Sequence, residues 1–100
     1  MPTLFFKKQY MQMIRAGEKT STIRAFSSVK AGDDVVFLSG RDKIRAKVLS
    51  VEHLPVEKIT SEMAQTDGFK SKKELLETLL ELYPDQVLDA IYYIRFKINS

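Results

Sequence analysis

The spacing of apolar positions changes period several times along this chain, and each change marks an element. Leu4-Phe5-Phe6 is a short apolar run that reads as an opening strand. Phe6, Tyr10, Met13 and Ile14 then recur at helical spacing, and Gly17 stands where a left-handed C-terminal cap belongs. A helix is therefore predicted over Lys7–Ala16. Beyond the glycine the pattern alternates, which predicts a strand over Thr20–Arg24. Side chains two apart in a strand share a face. Thr20, Thr22 and Arg24 should point one way, and Lys19, Ser21 and Ile23 the other. Lys19 sits at the turn itself, where a long side chain can curl over either face.

Further on, Val29–Asp34 reads as a turn leading into a strand over Val35–Leu38, and Ser39-Gly40-Arg41-Asp42 as a hairpin loop. The longest strand is predicted over Ile44–Glu52: Ile44, Ala46 and Val48 share one face, Arg45 and Lys47 the other. After Leu49 both faces turn apolar, which predicts deeper burial there. Short helical turns are expected around Pro55 and Ile59, and a turn at Asp67-Gly68. Ser71 with Glu74 three residues later makes a capping box, which opens a helix to Leu82. Leu75, Leu76, Leu79, Leu80 and Leu82 should form its buried stripe, and Pro84 stops it. Ile91–Ile98 alternates as a closing strand, with Tyr92, Ile94, Phe96 and Ile98 on one face.

These elements predict an α+β fold in which four or five strands are joined by short loops, with helices inserted early and late. Short loops favour antiparallel pairing. A small twisted sheet tends to close into a barrel, which removes its open edges. The helices should plug or flank that barrel. One hundred residues fit one domain spanning 1–100, and a hydrophobic content of 44% supplies a core.

Composition narrows the chemistry. The absence of cysteine excludes a disulfide framework, a zinc-thiolate site and cysteine catalysis. His53 is the only histidine, which argues against a histidine-cluster metal site or a serine-histidine triad; it reads as a strand-end polar residue. No metal or other cofactor is expected. No apolar stretch approaches the roughly 20 residues that span a bilayer, and Met1-Pro2-Thr3-Leu4 does not begin a signal peptide. A cytoplasmic monomer with no membrane partner is the expectation. The net charge of +3 is unevenly spread. Residues 1–50 hold ten Lys/Arg against four Asp/Glu, while residues 51–100 hold six against nine. A basic half raises the local concentration of anionic partners such as nucleotides or RNA.

The richest segment is Gly17-Glu18-Lys19-Thr20-Ser21-Thr22-Ile23-Arg24. It sets a cation, nucleophile-capable hydroxyls and a guanidinium fork on one short edge. A solvated turn followed by a Thr-rich exposed strand accounts for the same spacing, as does a structural ion pair for Arg24 and a plain turn for Asp67-Gly68.

Taken in order, these motifs resemble the ASCH domain, a small β-barrel related to the PUA RNA-binding fold. The family pattern is a helix ending in Gly-x-Lys-(Thr)-x-Thr-x-Arg, met here by Gly17, Lys19, Thr22 and Arg24. A Lys-x-Gly-Asp turn follows at Lys30-Ala31-Gly32-Asp33. Then come an acidic-Gly-Phe-x-Ser segment, Asp67-Gly68-Phe69-Lys70-Ser71, and a Leu-rich helix ending in Leu82-Tyr83-Pro84. Within the family the chain is most similar to small bacterial N4-acetylcytidine amidohydrolases, thought to use a Thr-Lys-Glu triad. That resemblance implies an amidohydrolase that removes the acetyl (acyl) group from an acylated pyrimidine nucleoside, with Lys19, Thr22 and Asp67 as catalytic residues. It implies Arg24, Thr20 and Gly68 as substrate-binding residues. Asp67 is one methylene shorter than the family glutamate, and Glu62 is the alternative acid five residues upstream.

Amide hydrolysis needs a nucleophile, a base and a group that stabilises the oxyanion. Lys19 would deprotonate Thr22 or a water held by it, Asp67 would orient the lysine or contact the cytosine edge, and Arg24 would anchor the substrate or stabilise the oxyanion. Two other readings are an RNA-binding module, with Arg41, Lys43, Arg45 and Lys47 lining a basic groove, and an RNA-processing ribonuclease.

Overall fold

The computed structural model describes residues 1–85 and 87–99. The elements are β1 (Thr3–Phe5), α1 (Lys8–Arg15), β2 (Ser21–Arg24), β3 (Asp34–Ser39), β4 (Asp42–Pro55), a 3-10 turn (Val56–Lys58), α2 (Ser61–Thr66), α3 (Lys72–Leu82) and β5 (Ala90–Ile98). All five strands join one sheet in the order β1-β3-β4-β5-β2. The sheet curls into a half-barrel, and β1 and β2 are its two edges. Arg24 bridges those edges: its Nη2 on β2 donates to the Phe5 carbonyl on β1 at 2.8 Å.

The long antiparallel hairpin β3–β4 turns through Gly40-Arg41, with Ser39 opposite Asp42. Strand β5 returns antiparallel to β4 and then to β2. Strand β1 departs from the antiparallel expectation and lies parallel to β3, with Leu4 opposite Phe37. Helix α1 makes this possible, because it carries the chain from one edge of the sheet to the other before β2 begins.

Two apolar cores form on opposite faces. Met11 and Ile14 of α1 pack on the inner face with Val35, Phe37, Ile44, Ala46, Val48, Ile94 and Phe96. Phe37 meets Phe6 and Phe96 edge to face at 4.9 and 4.7 Å, an arrangement that suits the ring quadrupoles. The outer face is covered only at its β5–β2 end, where Ile23, Ile91 and Tyr93 meet Met63 and Ala64 of α2 and Leu75 and Leu79 of α3. Burying each large apolar side chain contributes roughly 1.5–3 kcal/mol.

Two burial expectations are corrected. The chain does not sink deeper after Leu49: Leu49 is 51% exposed, Val51 and Leu54 are half-buried, and Glu52 and His53 are exposed. The β4–β5 register shifts between Val48 and Ser50, so Leu49 is the extra residue of a bulge and loses its place on either face. In α3, Leu80 and Leu82 are exposed, which narrows the buried stripe to Leu75 and Leu79 with Leu76 partly covered. A helix resting on one sheet face needs only that much apolar width.

Candidate functional site

Where the half-barrel stays open, between the β1 and β2 edges, a cavity of about 210 Å³ lies under α3. Lys19, Thr22, Arg24 and Asp67 all line it, with Phe6, Tyr10, Phe69 and Tyr83 among its walls.

Local backbone geometry delivers Lys19. Gly17 takes φ +78°, and the amides of Glu18 and Lys19 both donate to the Met13 carbonyl, at 2.9 and 3.2 Å. The chain thus reverses tightly at the end of α1 and turns Lys19 inward, where it is 3% exposed. Strand β2 adds Thr22 and Arg24 two residues apart. Thr22 stands opposite Ile94, a residue of the inner core, so both project toward the concave face.

Helix α2 delivers Asp67. Thr60 Oγ1 caps its start by accepting from Met63 N–H at 3.1 Å, and Asp67 is its C-terminal cap. Gly68 follows at φ +93°. A Cβ there would stand 2.7 Å from Met13 Cε and 3.7 Å from Lys19 Cβ, so this turn is pressed directly against the lysine. Hydroxyls hold the same turn from the other side of β2. Thr66 Oγ1 donates to the Met63 carbonyl at 3.0 Å and lies 2.9 Å from Tyr93 OH and 2.8 Å from Ser21 Oγ. A hydroxyl has one proton to give, so Tyr93 and Ser21 are the donors to Thr66.

Lys19 Nζ donates to both the side chain and the backbone of Asp67: it forms an ion pair with Oδ1, and its bond to the carbonyl oxygen is 2.8 Å. The shorter acid therefore reaches, because it sits immediately at the helix end beside the lysine. Glu62 is exposed in the first turn of α2 and does not line the cavity. The ammonium also lies 5.3 Å from the Tyr10 ring and 5.7 Å from the Phe6 ring, within cation–π range.

Burial dominates the protonation of the pair. It pushes Asp67 up to about 6, against the pull of Lys19 and of the Ile23 N–H. It pushes Lys19 down from 10.5; Asp67 opposes that shift and the nearby Arg24 charge adds to it. Both shifts favour the neutral forms, which is the state a lysine base requires.

Arg24 lies with its guanidinium carbon 4.7 Å from the Phe6 ring centroid, and its buried Nε has no partner. Thr20 is not brought to the site. Strand β2 begins at Ser21, and the exposed Thr20 borders a separate hollow with Lys97 and Ile98. Gly68 acts through its backbone beside Lys19 and is not among the lining residues. His53 stacks on Tyr92 at 4.2 Å, away from the cavity. Alternation along the chain did not single out the aromatic walls or the Ser21–Thr66–Tyr93 hydroxyls. Phe6 and Tyr10 stood out only by their helical spacing, and Tyr10, Tyr83, Tyr92 and Tyr93 read as core or rim residues of which one could stack on a pyrimidine; of these four, Tyr10 and Tyr83 line the cavity.

A curled, mostly antiparallel sheet with flanking helices defines a class of small α+β domain. Residues 2–78 match the model of the ASCH domain, and the chain belongs to that family. Solved structures agree in fold. The ASCH domain from Lactobacillus crispatus JV V101 superposes with a TM-score of 0.81 at 13% identity, covering 97% of this chain and 79% of that one. The hypothetical protein PH0355 gives 0.79 at 20% identity, over 97% of each chain. Protein EF3133 from Enterococcus faecalis V583 gives 0.71 at 20% identity, over 98% of this chain and 80% of that one. Among curated proteins none matches.

Proposed function

We propose that this ASCH domain is an amidohydrolase that removes the acetyl, or a related acyl, group from N4-acetylcytidine-type nucleosides. The observation that carries the reading is the convergence of Lys19, Thr22 and Arg24 with Asp67, from two separate stretches of backbone, on one partly apolar cavity.

The chemistry follows from their placement. Lys19 takes the proton from Thr22, or from a water held by Thr22, as oxygen adds to the acyl carbon. Arg24 supplies charge to the developing oxyanion. The carbon–nitrogen bond then breaks as the leaving cytosine amine takes the proton from Lys19; in the water route this frees the acid, which gives its remaining proton to solvent and departs as its carboxylate. In the direct route the acyl group is left on Thr22; Lys19 then takes a proton from water as it adds to the acyl carbon and returns it to Thr22 Oγ as the ester bond breaks, and the acid departs as its carboxylate with its remaining proton lost to solvent. Asp67 holds the lysine in place. Because lysine and acid share their protons as a coupled pair, Lys19 can be neutral without a change in the pair's net charge. Phe6, Tyr10, Phe69 and Tyr83 offer the flat apolar surfaces that a pyrimidine favours.

Incubation with N4-acetylcytidine, followed by chromatography of cytidine, tests the reading. The parent should release cytidine, and Lys19→Ala and Thr22→Ala should each slow release by about 100-fold or more. A parent that leaves the nucleoside intact refutes the proposed substrate.

A second reading, an RNA-binding module, rests on the other face of the sheet. Lys43, Arg45 and Lys47 alternate with the buried Ile44, Ala46 and Val48, and Lys47 stands directly opposite Lys97. Asp34 offsets part of this charge through its 3.3 Å contact with Lys47. Contacts of this kind hold phosphates without reading sequence, so binding should weaken steeply with salt. The cavity lies at the open β1–β2 edge and the cationic rows lie on β4 and β5, so each reading can be tested without the other.

A further inference from the structure

The charges in the cavity do not balance. Among the described residues, Asp67 is the only carboxylate that lines it, whereas Lys7, Lys19 and Arg24 are cations. Asp67 is already paired through Oδ1 with Lys19, which also donates to its backbone carbonyl. The proton between Lys19 and Asp67 can sit on either group and the pair still sums to zero; Lys7 is exposed at the rim, so the excess charge inside the cavity is that of Arg24. Among the described residues, Arg24 forms no salt bridge. Its one protein partner is the neutral Phe5 carbonyl at 2.8 Å, its Nε is unpartnered, and one side of its guanidinium is against Phe6. Asp67 attracts the guanidinium from beyond contact distance but is already paired with Lys19, so Arg24 is a largely buried cation with no direct counter-ion, a cost that an anion supplied by a ligand reduces.

We propose that Arg24 makes this cavity a receptor for a small aliphatic monocarboxylate. Resting on the hydrolysis reading, this ligand is the released acid, which stays against Arg24 after the nucleoside has left. A carboxylate suits the site better than phosphate does. Arg24 supplies a fork for two oxygens, while Phe6, Tyr10, Phe69, Leu75 and Leu79 offer an apolar wall to the carbon end. Phosphate has no apolar end for that wall. Each methylene added to the acid should therefore tighten binding by about fourfold until the cavity is filled. The free acid should also slow turnover by competing with substrate.

Binding can be read without turnover. Isotope-labelled protein is titrated with formate, acetate and propionate at constant ionic strength, with chloride and inorganic phosphate as separate arms, and amide and Arg24 Nε–H signals are followed by NMR. Saturable shifts confined to Phe6, Ile23, Arg24 and Phe69, with affinity rising from formate to propionate, are expected. Arg24→Gln should weaken acetate binding about tenfold or more, while Lys7→Gln at the rim should change it by less than about twofold. If Arg24→Gln does not fold, the chain-length order in the parent still decides. Absence of saturation, equal binding by Arg24→Gln, or phosphate binding tighter than propionate overturns the carboxylate site. Those outcomes stand whether or not N4-acetylcytidine is cleaved. Conversely, inert N4-acetylcytidine would refute the substrate and leave the titrations to judge the Arg24 site alone.

Discussion

Two ion pairs in this protein have similar contacts and opposite meanings. Arg15 grips Asp42 through two bonds, of 2.6 and 2.5 Å, with both side chains more than a third exposed. Lys19 grips Asp67 with both side chains almost wholly buried. Water and ions screen the first, so its good geometry adds little to stability. The second has given up its hydration, and a well-packed apolar pair of similar volume would serve folding as well or better. An ion pair held at that cost beside a hydroxyl and an unpaired guanidinium points to chemistry as the reason for keeping it.

The sharpest way to break this comparison is to remove one partner at a time. Lys19→Met or Asp67→Leu each leaves a buried group without its counter-charge, and should lower the unfolding free energy by about 3–5 kcal/mol in denaturant titrations.

Acid separates the pairs next, because their linkages have opposite signs. Asp67 titrates near 6 in the folded chain against 3.8 as its ordinary value. The folded state therefore binds that proton more readily than the unfolded state. Its contribution to stability is fully present below about pH 4 and is lost as pH rises through about 6, a swing on the order of 3 kcal/mol. Unfolding free energies of parent and Asp67→Asn, measured from pH 4 to 7.5, should therefore diverge in the parent's favour as pH falls. The Arg15 guanidinium instead holds Asp42 below its ordinary value, so that pair's contribution is present above about pH 4 and lost below it.

Smaller effects should come from the turn that carries the acid. Gly68 and Gly32 have nearly the same φ, +93° and +91°. Alanine at either one meets a backbone cost of about 1–2 kcal/mol. Only at Gly68 would the new methyl also press on Met13 and Lys19, since nothing lies within 4 Å of the corresponding position at Gly32. Gly68→Ala should therefore lose more stability than Gly32→Ala, and it alone should impair turnover. The smallest effect is expected for Arg15→Gln: turnover unchanged, and a shift in thermal midpoint that shrinks as salt is added.

What was legible in the sequence separates along physical lines. Period and caps carried the elements: Gly17 ended α1, Ser71 opened α3 and Gly40-Arg41 turned the hairpin. Alternation in β2 correctly put Thr22 and Arg24 on one face. It misassigned Thr20, because the alternating pattern runs one residue past the true start of the strand. Pairing partners were less legible. A strand as short as Thr3–Phe5 carries too few side chains to specify whether its neighbour is parallel, and the placement of β2 at the far edge depends on where α1 lands. The bulge at Leu49 and the exposure of Leu80 and Leu82 are likewise tertiary outcomes, set by what happens to lie opposite. The hydroxyls around Thr66 come from residues distant in sequence, and no local period announces them; the period that marks Phe6 and Tyr10 announces a helix face, not a cavity wall.

The most direct test of the central claim is N4-acetylcytidine turnover by the double variant Lys19→Met/Asp67→Leu, in which the buried pair is replaced by apolar side chains and the fold is expected to be retained. The account predicts a folded protein that releases no cytidine above the uncatalysed background. A folded double variant that cleaves at the parent's rate would contradict it, and would show that the buried pair is not where the reaction occurs.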